Sequence, residues 1–157
     1  MGAVCRHRDI QNMVRSTQKA FAALVGLFFA CGLAAHALAQ DAPTEIKGAK
    51  TLNADSVIEL VQKTKDLIIL DNRSAADYEA GHIEGSLRLM DTDITSEAVL
   101  AQRVPSKTTP VLFYCNGLKC GRAAKVVAKA VEWDYKNIYY YALGLEEWKQ
   151  RQLPLVR

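Results

Sequence analysis

Pro110-Val-Leu-Phe-Tyr-Cys115-Asn-Gly-Leu-Lys-Cys120-Gly-Arg-Ala-Ala-Lys-Val-Val-Ala-Lys-Ala-Val131 is the most informative stretch of the chain. Its first part is a continuous apolar run too short for a helix, and it reads as a strand buried on both faces. Its last part, Arg122–Val131, sets Ala123, Val126, Val127, Ala130 and Val131 on one face at helical spacing. A short loop with two glycines joins them. A buried strand that feeds a helix through a tight loop is the repeating unit of an α/β domain.

The pattern recurs on either side. Leu67–Leu70 is a second continuous apolar run, ending at Asp71. Before it, Asn53 is a plausible N-cap for a helix carrying Ala54, Val57, Ile58 and Val61 and running to about Lys65. After it, Ser74 caps a short helix closed by Gly81, and a turn leads into a strand around Leu87–Leu89. A weaker helix covers Ser96–Gln102, Ile138–Tyr141 is a further strand, and Gly144 opens a last amphipathic helix with Leu145 and Trp148. This alternation predicts an α/β domain with a mainly parallel sheet. Ligands of such sheets bind outside the strands' carboxyl ends, where Asp71 and Cys115 both fall.

The first forty residues read differently. Ala20–Ala39 contains no Asp, Glu, Lys or Arg, and Arg6, Arg8, Arg15 and Lys19 precede it. A basic segment, an apolar segment and the small-x-small site Ala37-Leu38-Ala39 form an export signal cleaved before Gln40. Two alternatives stay open: an uncleaved anchor formed by residues 20–39, long enough to span a bilayer, and lipid attachment at Cys31. In each case the working domain lies outside the cytoplasm, periplasmic or secreted, and touches a membrane only if the segment is uncleaved. Residues 40–49 are polar and small without periodicity and read as a linker or frayed start, which leaves 50–157 as the domain.

The whole chain has 157 residues, a formal charge of +3 and four cysteines. Setting aside residues 1–39 removes four of the 20 basic residues and one (Asp9) of the 17 acidic ones. The remainder is neutral, so the charge offers no nucleic-acid footprint. Cys5 and Cys31 leave too, and the remaining pair, Cys115 and Cys120, is no disulfide framework.

A loop that wraps a thiol and enters a helix aims backbone N–H groups and the positive helix end inward, which stabilises a thiolate or a bound anion. Gly117 and Gly121 are expected to give the loop backbone freedom, and Lys119 and Arg122 to add charge at its rim. Cys115 is then a nucleophile serving an anionic substrate. The plainer reading is a buried structural cysteine.

Leu70-Asp71-Asn72-Arg73, followed by Tyr78-Glu79-Ala80-Gly81-His82-Ile83-Glu84-Gly85-Ser86, resembles the D-x-R…E-Y-x-x-G-H-I-x-G-A signature of the rhodanese family. The cysteine loop after Val-Leu-Phe-Tyr and the terminal Gly144-Leu-Glu-Glu-Trp148…Leu153-Pro154-Leu155 resemble the rest of that pattern. The resemblance implies a single domain with a central, mainly parallel five-stranded sheet flanked by helices. It also implies an exported sulfurtransferase of the thiosulfate type that uses no cofactor and carries sulfur as a Cys115 persulfide. The donor would be a small anion such as thiosulfate, and the acceptor a thiol or a protein. The loop amides of Asn116, Gly117, Leu118, Lys119, Cys120 and Gly121 would cradle the charge, with Asp71, Arg73 and Arg122 in support.

The chain departs from the family in three places. The common loop runs Cys-x-x-Gly-x-Arg-Ser, whereas here Cys120 stands at the Arg position, Gly121 at the Ser and Arg122 falls later. Phosphatases on the same fold need Cys-x5-Arg, a spacing this loop misses by one residue. Leu143 replaces the first of two glycines before the last helix. Cys120 has three readings: it resolves an oxidised or persulfidated Cys115 as a disulfide, it is a second sulfur carrier, or it is a small residue filling the helix start. The other function class is accordingly a thiol-redox or partner-binding module built on Cys115 and Cys120.

Asp71 and Arg73 are expected to orient the active loop, and His82 to tie its turn together. No second His, Cys or Asp at ligand spacing makes His82 a metal site. Strand alternation sends Tyr140 to one face and Tyr139 and Tyr141 to the other, which favours packing over an aromatic box. Asn72-Arg73-Ser74 fits a glycosylation sequon but sits at a strand end.

Overall fold

The computed structural model describes residues 41–157, so the expected export segment and cleavage site fall outside the described residues. Five strands form one all-parallel sheet: β1 (Lys50–Thr51), β2 (Ile68–Asp71), β3 (Ser86–Arg88), β4 (Val111–Tyr114) and β5 (Ile138–Tyr141), in the order β1-β5-β4-β2-β3. The helices are α1 (Ala54–Lys63), α2 (Ala75–Ala80), α3 (Glu97–Ala101), α4 (Arg122–Glu132) and α5 (Gly144–Gln150).

Period-2 alternation in the central strands divides the core into two layers. Leu70, Phe113 and Tyr140 face one side with Leu100, Val126, Val127 and Ala130 of α3 and α4. Ile69, Leu112 and Tyr141 face the other with Ala54, Val57, Leu145 and Trp148 of α1 and α5. Leu70, Leu112 and Phe113 are fully buried, each contributing about 2 kcal/mol by removal from water. This double coverage is why β2 and β4 read as unbroken apolar runs.

The helix boundaries agree with the expected ones to within two residues. Asn53 caps α1 by accepting from the Ser56 amide at 2.9 Å, and Ser74 caps α2 through the Asp77 amide at 3.2 Å. Strands β2 and β3 each sit one residue from their expected places. β1 has no counterpart among the expected strands: its two residues are polar and exposed, so no apolar pattern marks them.

Residues 41–49 are not a frayed linker. The Ala42 amide donates to the Leu118 carbonyl at 2.7 Å, the Tyr140 hydroxyl to the Pro43 carbonyl at 3.1 Å, and Thr51 Oγ1 to the Thr44 carbonyl at 3.0 Å. Ala42, Ile46 and Ala49 pack on the core layer shared by α3 and α4. The segment thereby leads into β1 and braces the cysteine loop.

Candidate active site

The parallel register pairs Asp71 with Tyr114 across β2 and β4, so the carboxyl ends of these neighbouring strands present Asp71 and Cys115 side by side. Cys115, only 3% exposed, immediately follows β4. The last helix clasps the start of the loop: the Leu145 amide donates to the Cys115 carbonyl at 3.0 Å and the Glu146 amide to the Asn116 carbonyl at 2.7 Å. These are N–H groups of the first turn of α5, which have no partner within the helix.

That clasp explains the glycines. Gly144 has φ +53° and lies so close that a β-carbon would overlap the Cys115 carbonyl oxygen. Gly117 has an ordinary φ, but a β-carbon there would come within 2.7 Å of Glu146 Oε2 and 3.3 Å of the Leu143 carbonyl. The expected backbone freedom at Gly117 and Gly121 is therefore corrected. Gly117 sits tight against α5, where a β-carbon would require the Glu146 side chain to shift, while Gly121, at φ −74° and with nothing near, meets neither demand.

Cys115 and Cys120 are joined as a disulfide, with Cα atoms 6.2 Å apart, inside the range such a bridge accepts. Within the loop the Cys120 amide donates to the Gly117 carbonyl at 2.9 Å, so this amide is turned back on the loop. Arg122 stands beside the Cys120 end of the loop. Its Nη1 lies 4.0 Å from the Cys120 sulfur, and its Nε and Lys125 Nζ each lie 3.8 Å from the Asp91 carboxylate. Lys119 is largely exposed and pairs with Asp41 at 2.6 Å. A cavity of about 400 Å³ beside the loop is lined by Asn116, Gly117, Cys120, Leu145 and Lys149 among others, but not by Cys115.

Beneath the loop lies a buried polar network. The Arg73 guanidinium donates through Nε to both Asp71 carboxylate oxygens, at 2.9 and 3.0 Å, and through Nη2 to the Gly81 carbonyl at 2.9 Å. The Tyr114 hydroxyl donates to Asp71 Oδ2 at 2.6 Å and meets Ser86 Oγ at 3.0 Å. Burial opposes the charge on Arg73, but the hydrogen bonds and charge of Asp71 more than offset it, and its pKa is raised. Burial, reinforced by the Asp71 charge, pushes the Tyr114 hydroxyl well above its ordinary range. Both side chains of the Asp71–Arg73 pair are at most 1% exposed, so the pair belongs to the packed interior rather than to the open surface of the loop.

His82 ties its turn: Nδ1 lies 3.0 Å from the Tyr78 carbonyl, the ring stacks on Tyr78 at 3.7 Å, and its backbone exchanges two hydrogen bonds with Val156. Asn72 is fully buried and donates to the Leu89 carbonyl at 2.6 Å, which closes the sequon to modification. Tyr140 packs in one core layer and Tyr139 and Tyr141 in the other, so no aromatic box forms. Among the described residues no three His, Cys, Asp or Glu side chains gather as a metal site.

Sequence reasoning singled out neither Tyr114 and Ser86, which join the Asp71 network, nor Asp91, which faces Arg122 and Lys125. Tyr114 had a usable signal, since a hydroxyl inside a doubly buried strand must find a partner.

A five-stranded parallel sheet with a cysteine loop at its carboxyl edge defines a class, and comparison with known proteins places the chain within it. The family described as "Rhodanese-like domain" matches residues 53–151, and the chain belongs to that family. The chain is 28% identical over 109 residues to the uncharacterized protein YibN of Escherichia coli, covering 69% of this chain and 73% of that one. It is 34% identical over 92 residues to the thiosulfate sulfurtransferase GlpE of Coxiella burnetii, covering 58% and 78%. The polysulfide-sulfur transferase homodimer of Wolinella succinogenes shares the fold at a TM-score of 0.55 and 21% identity, over 69% of this chain and 79% of that one. The family thus includes named sulfurtransferases.

Proposed function

We propose that the protein is a sulfurtransferase in which reduced Cys115 carries the sulfur. The Cys115 thiolate attacks the outer sulfur of a small anionic donor such as thiosulfate. The donor S–S bond breaks, sulfite leaves with the bonding electrons, and Cys115 becomes a persulfide. An acceptor thiolate then takes the outer sulfur and returns Cys115 as thiolate. The observation that carries this reading is the placement of Cys115 at the β4 carboxyl end, in a loop held by α5 and entering α4. Apart from that of Cys120, which is bonded to the Gly117 carbonyl, the amides of residues 116–121 and the start of α4 are the groups available to stabilise the anions.

Pre-reduced chain mixed with thiosulfate is expected to release one sulfite per Cys115, and Cys115→Ser to release none. Equal release by both proteins overturns the reading. Export belongs to the same reading, motivated by residues 1–39. Cell fractionation is expected to recover a periplasmic or secreted chain beginning at Gln40, or a membrane-bound one beginning at Met1, and a cytoplasmic chain contradicts it.

The Cys115–Cys120 disulfide favours a second reading, a thiol-redox module that cycles between dithiol and disulfide without sulfur transfer. That reading requires Cys120 for every turnover and predicts no sulfite.

A further inference from the structure

Cys115 and Cys120 differ in access. Cys115 is 3% exposed, while Cys120 is half-buried and lines the 400 Å³ cavity that Cys115 does not reach. Their backbones already stand at bridging separation, 6.2 Å between Cα atoms. Arg122 Nη1 lies 4.0 Å from the Cys120 sulfur and holds a permanent positive charge beside it. The Cys115 sulfur is therefore within bonding reach of the Cys120 sulfur, and it can carry either that sulfur or one delivered by a donor. The two occupants are mutually exclusive.

From this geometry we infer that the protein releases its sulfur as sulfide, with Cys120 displacing it. This inference rests on the Cys115 persulfide proposed above. The Cys120 sulfur attacks the inner sulfur of Cys115–S–S⁻, the bond between the two persulfide sulfurs breaks, and the proton of the Cys120 thiol leaves with the departing atom as HS⁻. The sulfane sulfur is reduced by two electrons and the two cysteines are oxidised to the disulfide seen here. A second reactant, a dithiol reductant or two equivalents of a small thiol, restores the pair. Its first thiolate attacks the accessible Cys120 sulfur from the cavity, which frees Cys115 as the thiolate for the next donor. The net reaction converts thiosulfate and a dithiol into sulfite, sulfide and a disulfide, so sulfane-sulfur reduction is a second outlet for the Cys115 persulfide, open when no external acceptor takes its outer sulfur.

Single turnover of the full, pre-reduced protein with thiosulfate, in the absence of any added thiol, tests this. Sulfite, sulfide, free thiols and intact mass are read together. The inference expects one sulfide for each sulfite, loss of both free thiols, and a final mass lower than the reduced chain by two hydrogens. Cys120→Ser is expected to release sulfite but no sulfide and to keep one added sulfur. If the unmodified protein itself holds the added sulfur stably, with both signals matching Cys120→Ser, the inference is overturned while the persulfide stands. If neither protein releases sulfite, the persulfide reading fails and this inference with it. The ratio of sulfide to sulfite in the unmodified protein decides the matter without reliance on the variant.

Discussion

The Tyr114 hydroxyl donates to Asp71 Oδ2 at 2.6 Å, and Tyr114 immediately precedes Cys115, so the strand that leads to this cysteine is pinned to its neighbour by a buried side-chain bond. Removing the hydroxyl with Tyr114→Phe leaves Asp71 its Arg73 bonds but strips a partner from Ser86 Oγ and the Ile83 amide. The expected loss is about 1–3 kcal/mol, read as a lower urea midpoint.

The same tyrosine gives a pH dependence with a definite sign. Its folded pKa is raised above the ordinary value of 10.0, by burial first and the Asp71 charge next. The unfolded chain therefore ionises before the folded one. The stability this provides is complete below pH 10 and is lost as pH rises toward the folded value. Unfolding free energy is expected to fall above pH 10, and to fall less steeply in Tyr114→Phe. Parallel slopes for the two proteins contradict this assignment.

Arg73→Met is expected to be far more damaging. It leaves Asp71 fully buried without its cation and the Gly81 carbonyl without its donor, a loss of about 3–5 kcal/mol. Chemical denaturation measures it, and a loss below about 1 kcal/mol would show that the pair is not what holds the network.

Two glycine substitutions separate backbone demand from composition. Gly144→Ala requires a β-carbon on the Cys115 carbonyl at a positive φ, and is expected to cost more than about 1 kcal/mol and to depress sulfite release by displacing the loop. Gly121→Ala enters open space at an ordinary φ and is expected to change stability by less than about 1 kcal/mol. Thermal unfolding of both proteins checks the contrast.

Chains beginning at residue 41 and at residue 50 are expected to differ in stability by about 1–3 kcal/mol, because the shorter one loses the bonds of Ala42 to Leu118 and of Tyr140 to Pro43. Equal urea midpoints would return residues 41–49 to the status of a linker.

What the sequence carried was whatever repeats with a period. Strands covered on both faces, such as Val111–Tyr114, show as apolar runs, and α4 shows as a 3.6-residue stripe. What escaped it depends on partners distant along the chain. Lys50–Thr51 become a strand only by pairing with Tyr139 and Tyr140, and residues 41–49 gain order only from Leu118 and Tyr140. Gly117 is fixed by Glu146, and Arg122 is drawn to Asp91 and Cys120. Asp71 and Cys115 were legible as neighbours at one sheet edge because each stands at the carboxyl end of an apolar run, and the register of β2 and β4 sets Asp71 opposite Tyr114. The Cys115–Cys120 bridge was one of three open readings, since a five-residue separation permits it without requiring it.

Peptide-mapped mass spectrometry of reduced Cys120→Ser after exposure to thiosulfate puts the sulfur carrier itself to the test, because with Cys120 removed the carried sulfur cannot be displaced from within. One added sulfur atom is expected, located on Cys115 and discharged by a small thiol. An unchanged mass, or sulfur found at any other residue, is incompatible with Cys115 as the carrier.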